Sequence, residues 1–225
     1  MHDRPAGPLR VAVFASGRGS NLQALLDAAR SGRLPIEIVL VASDKAHAPA
    51  LRRAEHAGIT TLALDPHSYA QRADFDAELF ARVAAAAPDL IVLAGYLRII
   101  DPDALAPWQG RIINIHPSLL PKFPGLHTHQ RALAAGEREH GASVHFVSAQ
   151  LDGGPLIAQT AIVIDAADNA QTLAQRLLPQ EHRLLIACVD LIARDRLVLD
   201  GEHVVLDGQP LRAPLRLGAT GATLD

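Results

Sequence analysis

The stretch Ile113-Asn114-Ile115-His116-Pro117-Ser118-Leu119-Leu120-Pro121 decides the fold. The β-branched residues that lead into it predict a buried strand, and Pro117 predicts that this strand ends at His116, because proline cannot donate to a sheet ladder. Asn114 and His116 are two residues apart, so both side chains point to one face of the strand. Ligands of open α/β sheets bind at the carboxyl ends of strands. The stretch therefore predicts a binding edge, with a plain strand end as the alternative.

Strand and helix patterns alternate on the N-terminal side of this stretch. Short β-branched runs predict strands, and runs with apolar residues three or four apart predict helices. Alternation at this spacing is typical of a doubly wound, mostly parallel sheet with a Rossmann-like N-terminal half. The predicted strands are 10–15, 36–43, 60–64, 89–94 and 111–116, and the predicted helices are 21–29, 48–57 and 74–87.

The pattern changes on the C-terminal side of residue 118. Residues 143–148 and 156–164 alternate like antiparallel strands. A long helical segment follows over 169–194, and Pro179 predicts a break in it because proline lacks the N–H and its ring clashes with the preceding turn. We expect a hairpin at 198–206, and a flexible tail over 208–225 because that segment is rich in Gly, Ala and Thr.

A glycine turn joins the first predicted strand to the first helix, at Ser16-Gly17-Arg18-Gly19-Ser20-Asn21. A helix start points backbone N–H groups at an anion, so the turn predicts a phosphate site, with Ser20 or Asn21 as the helix cap. The turn is not a dinucleotide fingerprint, since Leu22 stands where a third glycine belongs, and no Gly-Lys-Ser/Thr follows for a P-loop. A tight turn without a ligand is the alternative.

Composition excludes several classes of protein. The 225 residues carry a formal net charge of −3, which argues against a protein that binds nucleic acid or membrane through bulk charge. Cys188, the single cysteine, lies in an apolar run and predicts a buried thiol. No apolar run reaches the roughly 18 residues of a membrane span. We therefore expect a soluble cytoplasmic protein.

Four motifs occur together in the chain: Gly17-Arg18-Gly19-Ser20-Asn21, the Asn114–Pro121 block, Pro124-Gly125-Leu126-His127-Thr128-His129 and Leu151-Asp152-Gly153-Gly154-Pro155. Together they resemble one enzyme family, the glycinamide ribonucleotide formyltransferases. The resemblance covers about residues 9 to 207. It implies one formyltransferase domain, with a substrate-phosphate half over 9–110 and a catalytic and folate half over 111–207.

The resemblance implies transfer of a formyl group from 10-formyltetrahydrofolate, the co-substrate, to the amine of glycinamide ribonucleotide in purine synthesis. It implies small-molecule partners only, a monomer or weak homodimer, and no metal. His127 and His129 lack the further ligands that a metal site needs. Position by position, the implied residues are Asn114, His116 and Asp152 for catalysis; Gly19, Ser20, Asn21 and Glu181 for the substrate; and Arg72, Leu97, Arg98, Ile99, Ile100 and Asn114 for the folate.

The residue types suit this chemistry. Formyl transfer passes through an oxyanion, for which Asn114 and a protonated His116 supply N–H donors. Asp152 can accept the amine proton, and its charge predicts a raised pKa for His116. Two positions depart from the family pattern: Asp44 stands where Asn is usual, and Pro179 precedes Glu181 by two residues.

Three other functions remain open. A 10-formyltetrahydrofolate hydrolase shares the core but carries an additional N-terminal domain, whereas the first predicted strand here starts at residue 10. A methionyl-tRNA formyltransferase carries a C-terminal RNA-binding domain, for which the segment after Leu206 is too short and not basic enough. A folate- or nucleotide-binding module without catalysis is the third alternative, against which the intact Asn114, His116 and Asp152 argue.

Overall fold

The computed structural model describes residues 7–217 and residue 224. Eleven strands are present in this part of the chain: β1 Leu9–Phe14, β2 Ile36–Ser43, β3 Thr61–Ala63, β4 Leu90–Leu93, β5 Ile112–His116, β6 Glu139–Phe146, β7 Leu156–Val163, β8 Leu197–Asp200, β9 His203–Leu206, β10 Gln209–Pro210 and β11 Leu215–Arg216. The α-helices are α1 Ser20–Arg30, α2 Pro49–His56, α3 Arg72–Ala85, α4 Pro102–Leu105, α5 Thr128–Ala134 and α6 Ala170–Ala193.

Eight strands form one sheet in the order β11-β7-β6-β5-β4-β1-β2-β3. Strands β1 to β5 are parallel, whereas β6 pairs antiparallel with both β5 and β7. β8, β9 and β10 form a separate antiparallel sheet, which includes the predicted hairpin. The predicted fold class is confirmed. β5 is the strand at which the direction of the sheet changes.

Alternate residues of β1 face the two sides of the sheet, as a strand buried on both faces requires. Val11 and Val13 pack into the core beneath α1, α2 and α6, and Ala12 and Phe14 pack into the core beneath α3. The helices thus cover both faces of the sheet. Burial in these two cores fixes β1, β4 and β5 side by side, with their carboxyl ends at one edge.

The prediction of a break at Pro179 is wrong. α6 is a continuous helix of 24 residues with Pro179 inside it. Proline leaves the carbonyl four residues earlier, that of Gln175, without its helical partner. Both Pro179 and Gln175 are exposed, so water can satisfy that carbonyl, while Leu177 and Leu184 are fully buried and hold the helix on the sheet.

The prediction of a flexible tail is wrong for the segment 209–216. Gln209–Pro210 pairs with β9, and Leu215–Arg216 pairs parallel with β7. Leu215 is buried in the main core, so the burial of an apolar side chain offsets the ordering of this segment. Residues 218–223 and 225 of the predicted tail lie outside the described residues.

Candidate active site

The end of β5 carries the predicted amide and imidazole. Asn114 lies opposite His145 in the β5–β6 register, and His116 lies opposite Ser143. The chain leaves β6 after Phe146 and returns to β7 through a loop that contains Asp152. Strand pairing and this loop therefore bring residues distant in sequence to one edge of the sheet.

The loop before β7 approaches β6 closely because of its glycines. A Cβ added to Gly154 would lie 1.9 Å from the carbonyl oxygen of Phe146, so no other residue fits there. Asp152 has a φ of 49°, in the left-handed region that aspartate tolerates better than most residues. The tight turn holds the carboxylate of Asp152 against the end of β5.

The three residues predicted to be catalytic lie together. The Nδ2 group of Asn114 donates to Oδ1 of Asp152 at 3.3 Å. Nδ1 of His116 lies 3.4 Å from Oδ2 of Asp152, and the backbone N–H of Gly125 donates to the same oxygen at 2.8 Å. The side chains of His116 and Asp152 are both more than nine-tenths buried. Amide, imidazole and carboxylate thus form one bonded cluster.

His116 has an oxygen acceptor near each ring nitrogen. Its Nε2 lies 2.9 Å from the carbonyl oxygen of Phe123, on the side away from Asp152. Burial lowers the pKa of His116, and this effect outweighs the opposing effects of the Phe123 carbonyl and the Asp152 carboxylate. The expected effect of Asp152, which acts to raise the pKa of His116, is present, but the desolvation of the ring outweighs it and makes the net shift downward.

The Asp152 carboxylate is held in its charged form. Burial acts to raise its pKa, but the nearby ring of His145, the hydrogen bond from the Gly125 N–H and the charge of His116 bring the pKa below its ordinary value. The group is therefore ionised at neutral pH and can accept a proton.

His145 is a fourth member of the cluster, and the sequence analysis missed it. Its Nε2 lies 3.1 Å from Nδ2 of Asn114 and 3.7 Å from Oδ1 of Asp152. Its Nδ1 lies 2.9 Å from the carbonyl oxygen of Phe146. A signal was present in the sequence, since His145 is a polar residue inside a predicted strand that neighbours the catalytic strand. The register that places it opposite Asn114 was not predictable from that pattern.

The glycine turn leads into α1 with Gly19 as the N-cap residue, at φ 71°. No side chain caps this helix, and its first turn carries no acidic residue, so the prediction of a Ser20 or Asn21 cap is wrong. Nδ2 of Asn21 instead donates to Oε2 of Glu181 at 3.2 Å. The start of α1 therefore keeps its backbone donors available to a ligand.

Glu181 lies in α6 and is buried against Asn21. Burial raises the pKa of Glu181 to about 7, although the hydrogen bond from Asn21 acts in the opposite direction. Asn21 and Glu181 both line the cavity that also contains the cluster of Asn114, His116 and Asp152. The structure thus brings these two predicted substrate residues together with the predicted catalytic residues.

The cavity has a volume of about 530 Å³. The residues after β4 that were predicted to bind folate form one wall of it. Leu97, Ile99, Leu126 and Leu151 line it and are each about half exposed. Large apolar side chains exposed around one cavity indicate an apolar or aromatic ligand. The wall is formed by Leu97, Arg98, Ile99 and Ile100, with Asn114 beside it.

Arg72 lies apart from this cavity, at the start of α3, where it pairs with Asp101 at 3.5 Å.

Ser16 connects the glycine turn to the cavity wall that begins at Leu97. Its N–H donates to the Gly95 carbonyl, and its Oγ accepts from the Leu97 N–H, each at 3.0 Å. The glycine turn and the wall of the cavity are thus joined by a pair of hydrogen bonds.

Asp44 is buried at the end of the second strand, outside the lining of the cavity. Its Oδ1 has no hydrogen-bond partner. Burial, and next the charge of Asp44, raise the pKa of Tyr96. The departure from the family pattern therefore changes the electrostatics behind the cavity wall.

The histidines after β5 pair with each other. Nδ1 of His129 lies 2.9 Å from Nε2 of His140, and burial lowers the pKa of His140 to about 4. Within residues 7–217, no group of three or more His, Cys, Asp or Glu side chains is arranged to hold a metal ion. No helix in the described part of the chain has both the length and the apolar character needed to cross a bilayer.

Comparison with known proteins identifies the family. The model of a family described as formyl transferase matches residues 9–189. The chain belongs to the formyl transferase family. The phosphoribosylglycinamide formyltransferase of Escherichia coli is 43% identical over 203 residues, which cover 90% of this chain and 96% of that enzyme. The prediction of a one-carbon group transferase of this kind is confirmed.

Two further relatives bear on this assignment. The solved phosphoribosylglycinamide formyltransferase of Coxiella burnetii has a TM-score of 0.87 and 45% identity, and the match covers 91% of this chain and 96% of that one. The trifunctional purine biosynthetic protein adenosine-3 of Drosophila melanogaster is 47% identical over 175 residues, which cover 77% of this chain but only 13% of that protein. A formyl transferase of this size thus also occurs as one part of a larger purine-biosynthetic chain.

Proposed function

We propose that this formyl transferase moves the formyl group of 10-formyltetrahydrofolate to the amine of 5′-phosphoribosylglycinamide. Asn114, His116 and Asp152 carry the chemistry. The observation that supports this most strongly is their bonded cluster at the end of β5, in one cavity with Asn21 and Glu181. The identity to phosphoribosylglycinamide formyltransferases over nearly their whole length supports the choice of substrates.

The substrate lies between the start of α1 and the catalytic cluster. Gly19, Ser20 and Asn21 bind its phosphate through backbone N–H groups, which the uncapped helix leaves without intrahelical partners. Glu181 binds the ribose, since it lines the cavity beside Asn21. This arrangement directs the glycinamide amine towards Asp152.

The folate lies against the opposite wall. Leu97, Arg98, Ile99 and Ile100, with Asn114, contact the pterin end, where the exposed apolar side chains favour an aromatic ring. Arg72, half exposed beyond the cavity, meets the anionic glutamate tail. Residues 9–110 thus carry the phosphate site, and residues 111–207 carry the catalytic cluster and the remaining folate contacts.

The reaction forms a bond between the substrate nitrogen and the formyl carbon, and it then breaks the bond between that carbon and the folate nitrogen. An N–H of Asn114 and an N–H of His116 stabilise the oxyanion of the tetrahedral intermediate. Asp152, ionised because of its lowered pKa, takes the proton of the attacking amine through a water molecule. The proton that Asp152 accepts passes to His116, whose Nδ1 lies 3.4 Å from Oδ2 of Asp152, and His116 delivers it to the departing folate nitrogen.

His116 starts this cycle largely neutral, because burial lowers its pKa. A neutral ring still offers one N–H, and the negative oxyanion favours the charged ring as the intermediate forms. Positive charge on His116 is thus stabilised at the stage of the reaction that needs it, which is the requirement for catalysis by differential binding.

One assay tests the function. The protein is incubated with 10-formyltetrahydrofolate, with and without phosphoribosylglycinamide, and loss of the formyl group is followed. Loss that depends on the amine supports the transferase. Loss without the amine would instead identify a 10-formyltetrahydrofolate hydrolase, and no loss under either condition would identify a binding module.

We also propose that the partners of the protein are small molecules alone. The protein would be cytoplasmic and either a monomer or a weak homodimer. A net charge of −3 over 225 residues gives no basis for strong attraction to nucleic acid or anionic lipid. Sedimentation velocity over a range of protein concentrations measures the association state, and a stable tetramer would contradict this assignment.

A further inference from the structure

Two residues of α2 donate hydrogen bonds to the backbone of the glycine turn. The N–H of Ala50 donates to the carbonyl oxygen of Gly17 at 3.1 Å. Nε of Arg53, one helical turn later, donates to the carbonyl oxygen of Arg18 at 2.8 Å. Two consecutive carbonyl groups of the turn are therefore directed towards α2.

Gly19 packs directly against the same helix. A Cβ added to Gly19 would lie 2.8 Å from both Cα and Cβ of Ala50. Gly19 also has a positive φ, which a glycine adopts without strain. The residue therefore permits close packing with α2, but its backbone has little intrinsic resistance to rotation of the peptide before it.

Arg53 is fixed at two points. In addition to the bond with Arg18, its Nη1 donates to Oε1 of Gln23 at 3.0 Å, and Gln23 in turn donates to Asp27 at 2.9 Å. Both bonds come from one planar guanidinium, so they determine its orientation as well as its position. Arg53 thus connects the turn to the outer face of α1.

The direction of the Arg18 carbonyl decides what the turn offers to an anion. The carbonyl and the N–H of a trans peptide point in opposite directions, so a carbonyl held towards α2 leaves the Gly19 N–H pointing away from α2. If this peptide rotated, a carbonyl oxygen would replace an N–H donor at the anion site, and its partial negative charge would repel a phosphate.

We propose that Arg53 is a positioning residue, which holds the Arg18–Gly19 peptide with its N–H towards the substrate phosphate. This inference rests on the proposed function, which places the phosphate of phosphoribosylglycinamide at the glycine turn. Arg53 acts through the backbone of the turn, whereas the backbone N–H groups of the turn bind the phosphate.

The test compares Arg53→Ala with Arg52→Ala by steady-state kinetics. Both variants remove one positive charge from α2, but Arg52 is exposed and has no side-chain hydrogen bond or ion pair within the described residues. We expect Arg53→Ala to raise the KM for phosphoribosylglycinamide about tenfold or more, with kcat and the KM for 10-formyltetrahydrofolate changed less than about twofold. Arg52→Ala should leave all three values near those of the wild type.

Two further measurements separate positioning from other roles. Arg53→Lys retains a donor for the Arg18 carbonyl but lacks the fork that also reaches Gln23, so its KM should fall between the wild type and Arg53→Ala. Glycinamide riboside, which lacks the phosphate, should react with Arg53→Ala and with the wild type at equal kcat/KM. Thermal unfolding of each variant checks that the protein is folded, and Gln23→Ala replaces Arg53→Ala if the latter does not fold.

Three results would overturn the inference. An equal rise in KM for Arg52→Ala and Arg53→Ala would assign the effect to long-range charge. An equal rise for both substrates of Arg53→Ala would assign it to general structure, and a loss with glycinamide riboside would exclude action through the phosphate. Failure of the proposed function is distinguishable, because the wild type would then show no amine-dependent formyl transfer.

Discussion

The two ends of the proposed site, a transfer end at the carboxyl end of β5 and a phosphate end at the glycine turn, differ in how their polar groups are satisfied. At the transfer end, Asn114, His116, His145 and Asp152 bond to one another or to nearby backbone groups. At the phosphate end, no side chain caps α1, and the carbonyl groups of the preceding turn are bonded to α2. The polar groups of the transfer end are bonded within the protein, whereas the N–H donors of the phosphate end stay available to a ligand.

This difference suits the two tasks proposed for these ends. A phosphate has the same charge throughout the reaction, so donors fixed in advance serve it at every stage. The oxyanion exists only briefly, and the donors for it must be released from bonds that the free protein already makes. The transfer end therefore has to exchange hydrogen bonds during turnover, whereas the phosphate end does not.

Asp152→Asn tests the transfer end and should have the largest effect on turnover. An amide retains the shape of the side chain but can neither accept the amine proton nor stabilise a charged His116. We expect kcat to fall about a hundredfold or more, while the dissociation constants of both ligands stay within about tenfold. Single-turnover kinetics and ligand titration measure the two quantities, with Asp74→Asn, an exposed residue of α3, as the control. A variant that keeps more than about a tenth of wild-type turnover would contradict the role of Asp152.

Glu181→Gln tests whether the phosphate end contains a titrating group. The pKa of Glu181 is raised from 4.5 to about 7, so the folded protein binds more protons than the unfolded chain between these values. The wild-type free energy of unfolding should therefore fall by about 2 kcal/mol as the pH rises from about 5 to 8.

Glutamine can accept the same hydrogen bond from Asn21 and carries no proton to lose, so the variant should lack this part of the slope. Urea unfolding of both proteins at several pH values provides the measurement. Parallel slopes for the two proteins would show that Glu181 does not titrate in this range.

His145→Gln weakens the pairing at the transfer end without removing a predicted catalytic group. The ring of His145, 3.7 Å from Oδ1 of Asp152, lowers the pKa of Asp152, so the loss of this ring should raise that pKa. The acid limb of the kcat/KM profile should then move to higher pH, and kcat should fall about tenfold. A profile that falls in height but does not move along the pH axis would assign His145 to the orientation of Asn114 alone.

Ser16→Ala tests the link between the two ends and should have the smallest effect. The variant loses the acceptor for the Leu97 N–H, a single hydrogen bond worth about 1 kcal/mol. Isothermal titration should show at most about a fivefold loss of affinity for each ligand. A loss confined to phosphoribosylglycinamide would mean that Ser16 serves the phosphate turn only.

Local sequence chemistry predicted much of this structure. Pro117 marked the end of β5, and alternation placed Asn114 and His116 on one face. These features depend on residues that are close in the chain, so a sequence pattern is enough to predict them.

Features that depend on distant parts of the chain were not predictable in this way. The position of His145 follows from the antiparallel register of β6, and the net pKa of His116 follows from burial by several elements. The continuity of α6 through Pro179 follows from packing that outweighs a lost hydrogen bond. Leu215 pairs with β7 at the edge of the sheet. The sequence pattern alone identified neither this edge strand nor its partner.

The contact between Asn21 and Glu181 joins residues separated by 160 positions in the chain. During synthesis the glycine turn and α1 are made long before α6 exists, and contacts of such separation form late in folding because closing a long loop is entropically unfavourable. The Asn21–Glu181 contact therefore forms only when α6 docks across α1 and the C-terminal strands. Under the proposed function, a partly made chain lacks the contact to the ribose, so substrate binding would stabilise only the finished fold.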